Sequence, residues 1–321
     1  MSEPKVITVT LNPSLDRTVV VHHLAVGYQN RTVGATRLDP AGRGMNISRA
    51  LSRLERRTHG ILLLGDDAIG RAYEALILEE GFPISIARRQ GRTRSNTIIM
   101  DTGDGSETHL IEESEGVPQE SFEFVVETLR KITTPGDIVV YAGELPAEAY
   151  ATTYAWLTGI AHDLGAQAVL VTSGEPLELA LETKPDLVML RQVEVEALFN
   201  RPVRVYEDVV ACAEEMRARG ADRVLIITGA ESGAALVTPD GRWLVELPEL
   251  EKGTLSGVAD ALLAGYLAGR VDQLPLDETL ELAAASAAYT STHPGNEFGT
   301  LDEVESLAEQ EDITIAEDDR A

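Results

Sequence analysis

A single cysteine, Cys212, in 321 residues excludes an internal disulfide and a cysteine-based zinc site, so a reducing, cytoplasmic location is expected. Apolar runs are short as well: none approaches the ~18 residues needed to span a bilayer. The amino terminus lacks the basic-then-apolar layout of a secretory leader, so neither a membrane partner nor export is expected. Aromatic residues are only 5% of the chain, and Trp156, Trp243 and the lone cysteine are expected as packing residues. Positive charge is scarce, with 27 basic against 53 acidic side chains and a net charge of −26. The arginines are dispersed among acids, so nucleic acid phosphates would be repelled and no nucleic-acid partner is expected. Lysine occurs only at Lys5, Lys131, Lys184 and Lys252, which suits a high-salt cytoplasm and a GC-rich genome equally. The six histidines, His22, His23, His59, His109, His162 and His293, show no metal-ligand spacing. What remains is small-molecule chemistry.

Short β-branched runs alternate with amphipathic stretches along most of the chain, the pattern of a doubly wound, mainly parallel α/β sheet flanked by helices. Strands are expected over 6–10, 61–65, 97–101, 137–141, 168–172, 186–190 and 224–228. Helices are expected over 46–54, 69–80, 121–132, 147–164 and 207–219, where apolar residues recur every three or four positions. Two segments break the alternation: 17–23 followed by 32–38, and 97–101 followed by 108–112, read as strand pairs with no helix between them. They predict a small β lid formed by about 17–38 and 97–112, within a single domain over 1–308. The acidic stretch 309–321 is expected to be a solvated tail.

Two glycine clusters could carry chemistry. Asp39-Pro40-Ala41-Gly42-Arg43-Gly44-Met45-Asn46 runs into a helical pattern whose positive end suits an anion or a sugar hydroxyl, although such turns also occur for structural reasons alone. Gly253-Thr254-Leu255-Ser256-Gly257-Val258-Ala259-Asp260 leads into a small-residue helix with Asp260 in its first turn. That aspartate reads equally as a helix-start charge or as a general base beside free backbone amides.

Taken in order, seven segments resemble the ribokinase-type (PfkB) carbohydrate kinases: Leu11-Asn12-Pro13-Ser14-Leu15-Asp16, Pro40 to Asn46, Thr93-Arg94-Ser95-Asn96, Gly143-Glu144-Leu145-Pro146, Thr172-Ser173-Gly174-Glu175-Pro176-Leu177, Gly229-Ala230-Glu231-Ser232-Gly233, and Gly257 to Asp260. The opening and the Arg-Gly-Met-Asn loop are most similar to the 1-phosphofructokinase and tagatose-6-phosphate kinase branch. The resemblance implies a ribokinase-like fold, ATP and Mg²⁺ as cofactors, a phosphorylated ketohexose as substrate, and a homodimer joined through the lid. It further implies that Asp16 and Asn46, with Gly42 and Gly44 beside them, bind sugar hydroxyls, while Arg94 and Arg43 meet the phosphate already on the sugar. Asp260 would be the base, with the Gly257, Val258 and Ala259 amides on the transferring group, and Glu194 would organise Mg²⁺ through water. Thr228, Gly229 and Gly233 would lie along the nucleotide, and Arg191 would meet one of its phosphates.

The chain departs from that family mostly on the nucleotide side. Gly-Val-Ala-Asp stands at 257–260 for the usual Gly-Ala-Gly-Asp, Arg191 for an asparagine, Val171 for an aspartate, and Glu144 for a serine. A Cβ at Ala259 is unfavourable if that position needs a positive φ. Two readings follow: an active sugar-phosphate kinase, and a catalytically impaired protein that binds a sugar phosphate with a degenerate nucleotide site.

Overall fold

The computed structural model describes residues 3–228, 233–248, 256–293 and 296–318. The first half of the chain runs β1 (Val6–Thr10), β2 (Ser14–Val21), β3 (Arg37–Ala41), α1 (Arg43–Arg53), β4 (Thr58–Gly65), α2 (Ala68–Ile77), β5 (Ile84–Arg89), β6 (Arg94–Asp101), β7 (Glu107–Leu110), α3 (Gln119–Ile132) and β8 (Ile138–Ala142). The second half runs α4 (Thr153–Asp163), β9 (Gln167–Val171), α5 (Gly174–Leu181), β10 (Leu187–Arg191), α6 (Gln192–Phe199), α7 (Tyr206–Arg219), β11 (Arg223–Thr228), β12 (Gly233–Val237), β13 (Arg242–Glu246), α8 (Val258–Val271), α9 (Leu276–Thr292), α10 (Leu301–Gln310) and β14 (Thr314–Glu317).

Ten strands form one sheet in the order β14-β13-β12-β11-β10-β9-β8-β1-β4-β5. From β11 to β5 the pairing is parallel, and β12, β13 and β14 extend it as antiparallel strands. The parallel strands inside the sheet are mainly apolar on both faces, as a sheet covered on two sides requires, whereas the edge strand β5 carries Ser85, Arg88 and Arg89. In β8, Val139 and Tyr141 enter the core beneath α3 to α7, while Ile138, Val140 and Ala142 enter the core beneath α1, α8 and α9. β10 divides the same way, Val188 and Leu190 to one face, Leu187 and Met189 to the other. Strand order reverses between β1 and β8, where the chain steps first towards β5 and later towards β11. A crevice opens at the carboxyl ends of the strands at such a point.

A second sheet, in the order β3-β2-β6-β7, is the lid that the two helix-free segments predicted. Its inner strands, β2 and β6, are parallel and in register from Ser14 opposite Arg94 to Val21 opposite Asp101. The strand expected over 32–38 falls instead at Arg37–Ala41, since Asp39, Pro40 and Ala41 are buried while residues 32–38 are exposed. The helix expected from 147 begins at Thr153, after a turn that carries Glu148 at φ 62°.

The acidic end of the chain corrects another expectation. Thr314–Glu317 is not solvated coil but pairs with β13, and Ile313 and Ile315 pack on the core below. Trp156 is 41% exposed rather than a packing residue, whereas Trp243 packs on the core and Cys212 is buried, as expected. No helix among the described residues is long and apolar enough to cross a membrane.

Candidate active site

The crevice between β1 and β8 is a cleft of about 330 Å³ roofed by the lid. Thr10 and Asn12 come from the end of β1, Gly143 and Glu144 from β8, Thr172 and Ser173 from β9, and Arg191 from β10. The starts of α1 and α8 supply Gly42, Arg43, Asn46 and Gly257, and the lid supplies Ser14, Asp16, Arg94, Asn96, Ile98 and His109.

α1 reaches the cleft because Gly44 lets it lie directly on β1: a Cβ there would stand 2.5 Å from Thr10 Oγ1 and 3.3 Å from the Val9 carbonyl. Gly42 is its N-cap, and the first intrahelical bond runs from the Asn46 amide to the Gly42 carbonyl at 2.9 Å, leaving the Arg43, Gly44 and Met45 amides outside the helical ladder. α8 begins at Gly257 in the left-handed region, φ 78°, with no side-chain cap. The Ala261 amide closes its first turn on the Gly257 carbonyl at 2.8 Å. Ala259 lies inside the helix, so the positive φ falls on Gly257 and the alanine carries no backbone strain. Val258 buries its side chain in the core and can offer the cleft only its amide. Two helix amino termini therefore converge on one cavity, which favours anions.

Asp260, 5% exposed, accepts from Asn46 Nδ2 at 2.9 Å on one oxygen and from Arg43 Nε at 3.2 Å on the other. Arg43 also stands 3.6 Å from Glu194, whose other contacts are the Arg191 guanidinium at 3.0 Å and the Arg191 amide at 2.8 Å. Burial pushes the Glu194 carboxyl up, but Arg43 and then the two Arg191 contacts outweigh it and hold the group below its ordinary value. Sequence positions 43, 191, 194 and 260 thus form one ion cluster across the floor of the cleft.

The sugar-side candidates form a second cluster. Ser14 Oγ donates to Asp16 at 2.7 Å, and Asn96, opposite Asp16 in register, donates to the same oxygen at 2.9 Å. Burial is the main influence on Asp16 and raises its carboxyl above the ordinary value of 3.8, despite these hydrogen bonds and the nearby Arg94 charge. A raised folded value means that folding favours the protonated form. Its stabilising contribution is present below about pH 4 and is lost as pH rises through the folded value. Asp16→Asn is therefore expected to raise the melting temperature at pH 7, with the gain shrinking towards pH 4, as scanning calorimetry would show. The same substitution should weaken the binding of a ligand hydroxyl that donates to this carboxylate roughly 10- to 100-fold, the worth of one charge-assisted hydrogen bond.

Arg94 donates to the Asn12 carbonyl at 2.8 Å and the Glu112 carbonyl at 3.5 Å. Burial lowers its pKa, against the opposing charges of Glu144, Asp16 and Glu112. Four buried polar atoms on cleft side chains have no hydrogen-bond partner among the described residues: Thr10 Oγ1, Arg43 Nη2, Asn46 Oδ1 and Arg94 Nε. Such orphans are costly unless a ligand satisfies them. Two are cationic donors, one is a carbonyl acceptor and one a hydroxyl, a set that matches a phosphorylated polyol.

Among the described residues no group of three or more His, Cys, Asp or Glu side chains is arranged to hold a metal by itself. Magnesium that rides on phosphates and keeps most of its waters needs only one or two carboxylates, and Glu194 fits that need. Thr228 and Gly233 face each other across the β11–β12 pair and are not among the cleft-lining residues, while Gly229 lies outside the described residues. Ser14, Asn96, Thr10, His109 and Asn296 line the cleft without having been singled out as site residues. Asn96 was legible as the partner of Asp16 had the lid register been known.

The pfkB family carbohydrate kinase model matches residues 9–303. The chain is 31% identical over 309 residues to the 1-phosphofructokinase of Bacillus subtilis (strain 168), across 96% of this chain and 99% of that protein. It is 32% identical over 286 residues to the 1-phosphofructokinase of Rhodobacter capsulatus, across 88% of each. Among solved structures, phosphofructokinase-2 from Escherichia coli in complex with substrates and products superimposes with a TM-score of 0.88 at 24% identity, across 95% of this chain and 99% of that one. The tetrameric inhibited form of the same enzyme superimposes with a TM-score of 0.85 at 24% identity, across 96% and 99%.

Proposed function

Because the chain belongs to the pfkB family of carbohydrate kinases, we propose that it transfers the terminal phosphoryl group of ATP to fructose 1-phosphate. The observation that carries this reading is the set of unsatisfied buried groups on Thr10, Arg43, Asn46 and Arg94, gathered where two helix amino termini meet. That curated relatives are named 1-phosphofructokinases supports fructose 1-phosphate, rather than tagatose 6-phosphate, as the acceptor.

Asp16 and the Asn46 carbonyl hold ring hydroxyls, and Arg94 takes the substrate phosphate on its guanidinium. Asp260 accepts the proton of the attacking hydroxyl. That oxygen forms a bond to the γ-phosphorus as the bond to the bridging oxygen breaks, and ADP leaves with that electron pair. The Val258 and Ala259 amides face the transferring group, and Arg43 and Arg191 offset its charge. Glu194 would hold Mg²⁺ through water, and the metal, when bound, neutralises nucleotide phosphate charge. Helical geometry at Ala259 favours this reading over a non-catalytic sugar-phosphate binder, because the departure there costs no backbone strain.

The test is ADP release with MgATP across hexoses and hexose monophosphates, in dilute and molar KCl. Turnover on fructose 1-phosphate supports the reading. Silence across the panel from folded protein, with sugar phosphate still bound, leaves the non-catalytic alternative in its place.

Glu144 tunes the same site, since its carboxylate lines the cleft beside Arg94. Glu144→Ser is expected to lower the KM for fructose 1-phosphate about fivefold in dilute buffer, through loss of one like-charge repulsion near the surface. Steady-state kinetics in molar KCl should show the difference shrinking. Two copies are proposed to pack lid to lid, supported by the exposed lid residues Val26, Tyr28, Val33 and Leu38. Sedimentation of the full chain would show this as a two-chain species.

A further inference from the structure

The lid does not only cover the sugar cluster. Its edge strand β7 places His109 in a hollow shared with Arg43, Arg191, Ser256, Gly257, Ala259 and Asp260, directly over the start of α8. His109 also lines the main cleft, so it faces the junction between the sugar end and the transfer end. Glu107, two residues earlier on the same face of the strand, ties this corner together. Its Oε1 lies 2.8 Å from His109 Nε2 and accepts from Ser256 Oγ at 3.1 Å, joining the lid to the residue just before Gly257.

We propose that His109 is the lid's contact with the terminal phosphate of the nucleotide, and that Glu107 is the positioning residue that aims its ring. The inference rests on the kinase reading and adds a binding group to it. Its chemistry follows from the imidazole. A neutral ring whose Nε2 hydrogen is given to Glu107 presents only an acceptor nitrogen elsewhere, which a phosphate oxygen repels. The imidazolium presents an N–H at both nitrogens, so one can stay on Glu107 while the other donates to phosphate. The groups facing it divide evenly in sign: Arg43 and Arg191 from α1 and β10, Asp260 from α8 and Glu107 from β7, with Glu194 paired behind the two arginines. Nucleotide binding through His109 therefore takes up a proton, and affinity falls as pH rises.

The experiment is calorimetric titration of the full chain with the Mg²⁺ complex of a non-hydrolysable ATP analogue, from pH 6 to pH 8.5, beside His109→Gln and Glu107→Gln. Wild-type affinity is expected to fall about tenfold across that span, the worth of one charge-assisted hydrogen bond. His109→Gln should bind about tenfold more weakly at pH 6 and show a flat profile. Glu107→Gln, which keeps a partner for Ser256, should fall between the two. A His109→Gln protein that matches wild type at both ends of the range overturns the proposal while leaving the kinase reading intact. A wild-type protein that binds no analogue at any pH overturns both.

Discussion

Asp260→Asn is expected to lower kcat about 10³-fold, within the 10²- to 10⁴-fold range of a positioned general base, with the KM of both substrates changed no more than about threefold. The reason for confining the loss to the chemical step lies in the neighbours. Asp260 accepts from Asn46 Nδ2 and from Arg43 Nε, and an amide can satisfy only one of these with its oxygen. Asn46, however, has its own Oδ1 buried and unpartnered. Turning that amide over lets Asn46 accept from the new Nδ2 and present its own Nδ2 to the cleft, where a sugar hydroxyl can accept from it instead of donating to the carbonyl, so the variant keeps its hydrogen bonds and lacks the proton acceptor. Single-turnover kinetics with a calorimetric melting scan would check both halves. Near-normal turnover in a well-folded variant would remove Asp260 from the role of base.

Arg94→Ala carries the second large effect, on recognition rather than chemistry. The guanidinium is tied to the Asn12 and Glu112 carbonyls with its Nε unsatisfied, and it faces the cleft beside Asp16. Losing a charge-assisted, two-pronged contact to phosphate is expected to raise the KM for fructose 1-phosphate roughly 10² fold. Arg94→Lys should recover only part of this, because a point charge replaces a planar fork. The discriminating measurement is kcat/KM for fructose 1-phosphate against unphosphorylated fructose. A selective loss on the phosphorylated sugar assigns the phosphate to Arg94, and an equal loss on both shows that Arg94 acts only by holding β6 to the end of β1.

Apart from the edge strand β5, whose Ser85, Arg88 and Arg89 interrupt its apolar pattern, the parallel strands of the main sheet were legible because burial on both faces leaves near-continuous Val, Ile and Leu runs, as in Ile138-Val139-Val140 of β8 and Val224-Leu225-Ile226-Ile227 of β11. The antiparallel margin was not. β13 carries Arg242, Trp243 and Glu246 in five residues, and β14 sits in an acidic stretch whose composition alone reads as solvated. Both are fixed by pairing with a neighbour rather than by their own hydrophobicity. The site shows the same division. Asp16, Asn46, Arg94 and Asp260 each sit in a local motif, and the fold brings them to one cleft and the hollow beside it. The meeting of Arg43 with Glu194 and of Glu107 with Ser256 depends on how remote segments cross, and no local pattern encodes that.

The shared register of β2 and β6 makes the lid a lever. Ser14, Asp16, Arg94 and Asn96 stand at the roots of two parallel eight-residue strands, while the Asp101 carboxylate caps the far end on the His23, Leu24 and Gly103 amides. At ~3.3 Å per residue such strands are about 25 Å long, so tilting them by roughly 10° moves the tip about 4 Å and the roots by no more than about 1 Å. The groups proposed to hold the sugar lie at the fulcrum and keep their mutual geometry through such a swing. His109, paired opposite Ile98 midway along the arm, shifts by about 2 Å, enough to break a hydrogen bond. The proposed grip on the sugar and the proposed contact with the nucleotide are in this way mechanically separable, and a stiff lever can release one product end while still holding the other.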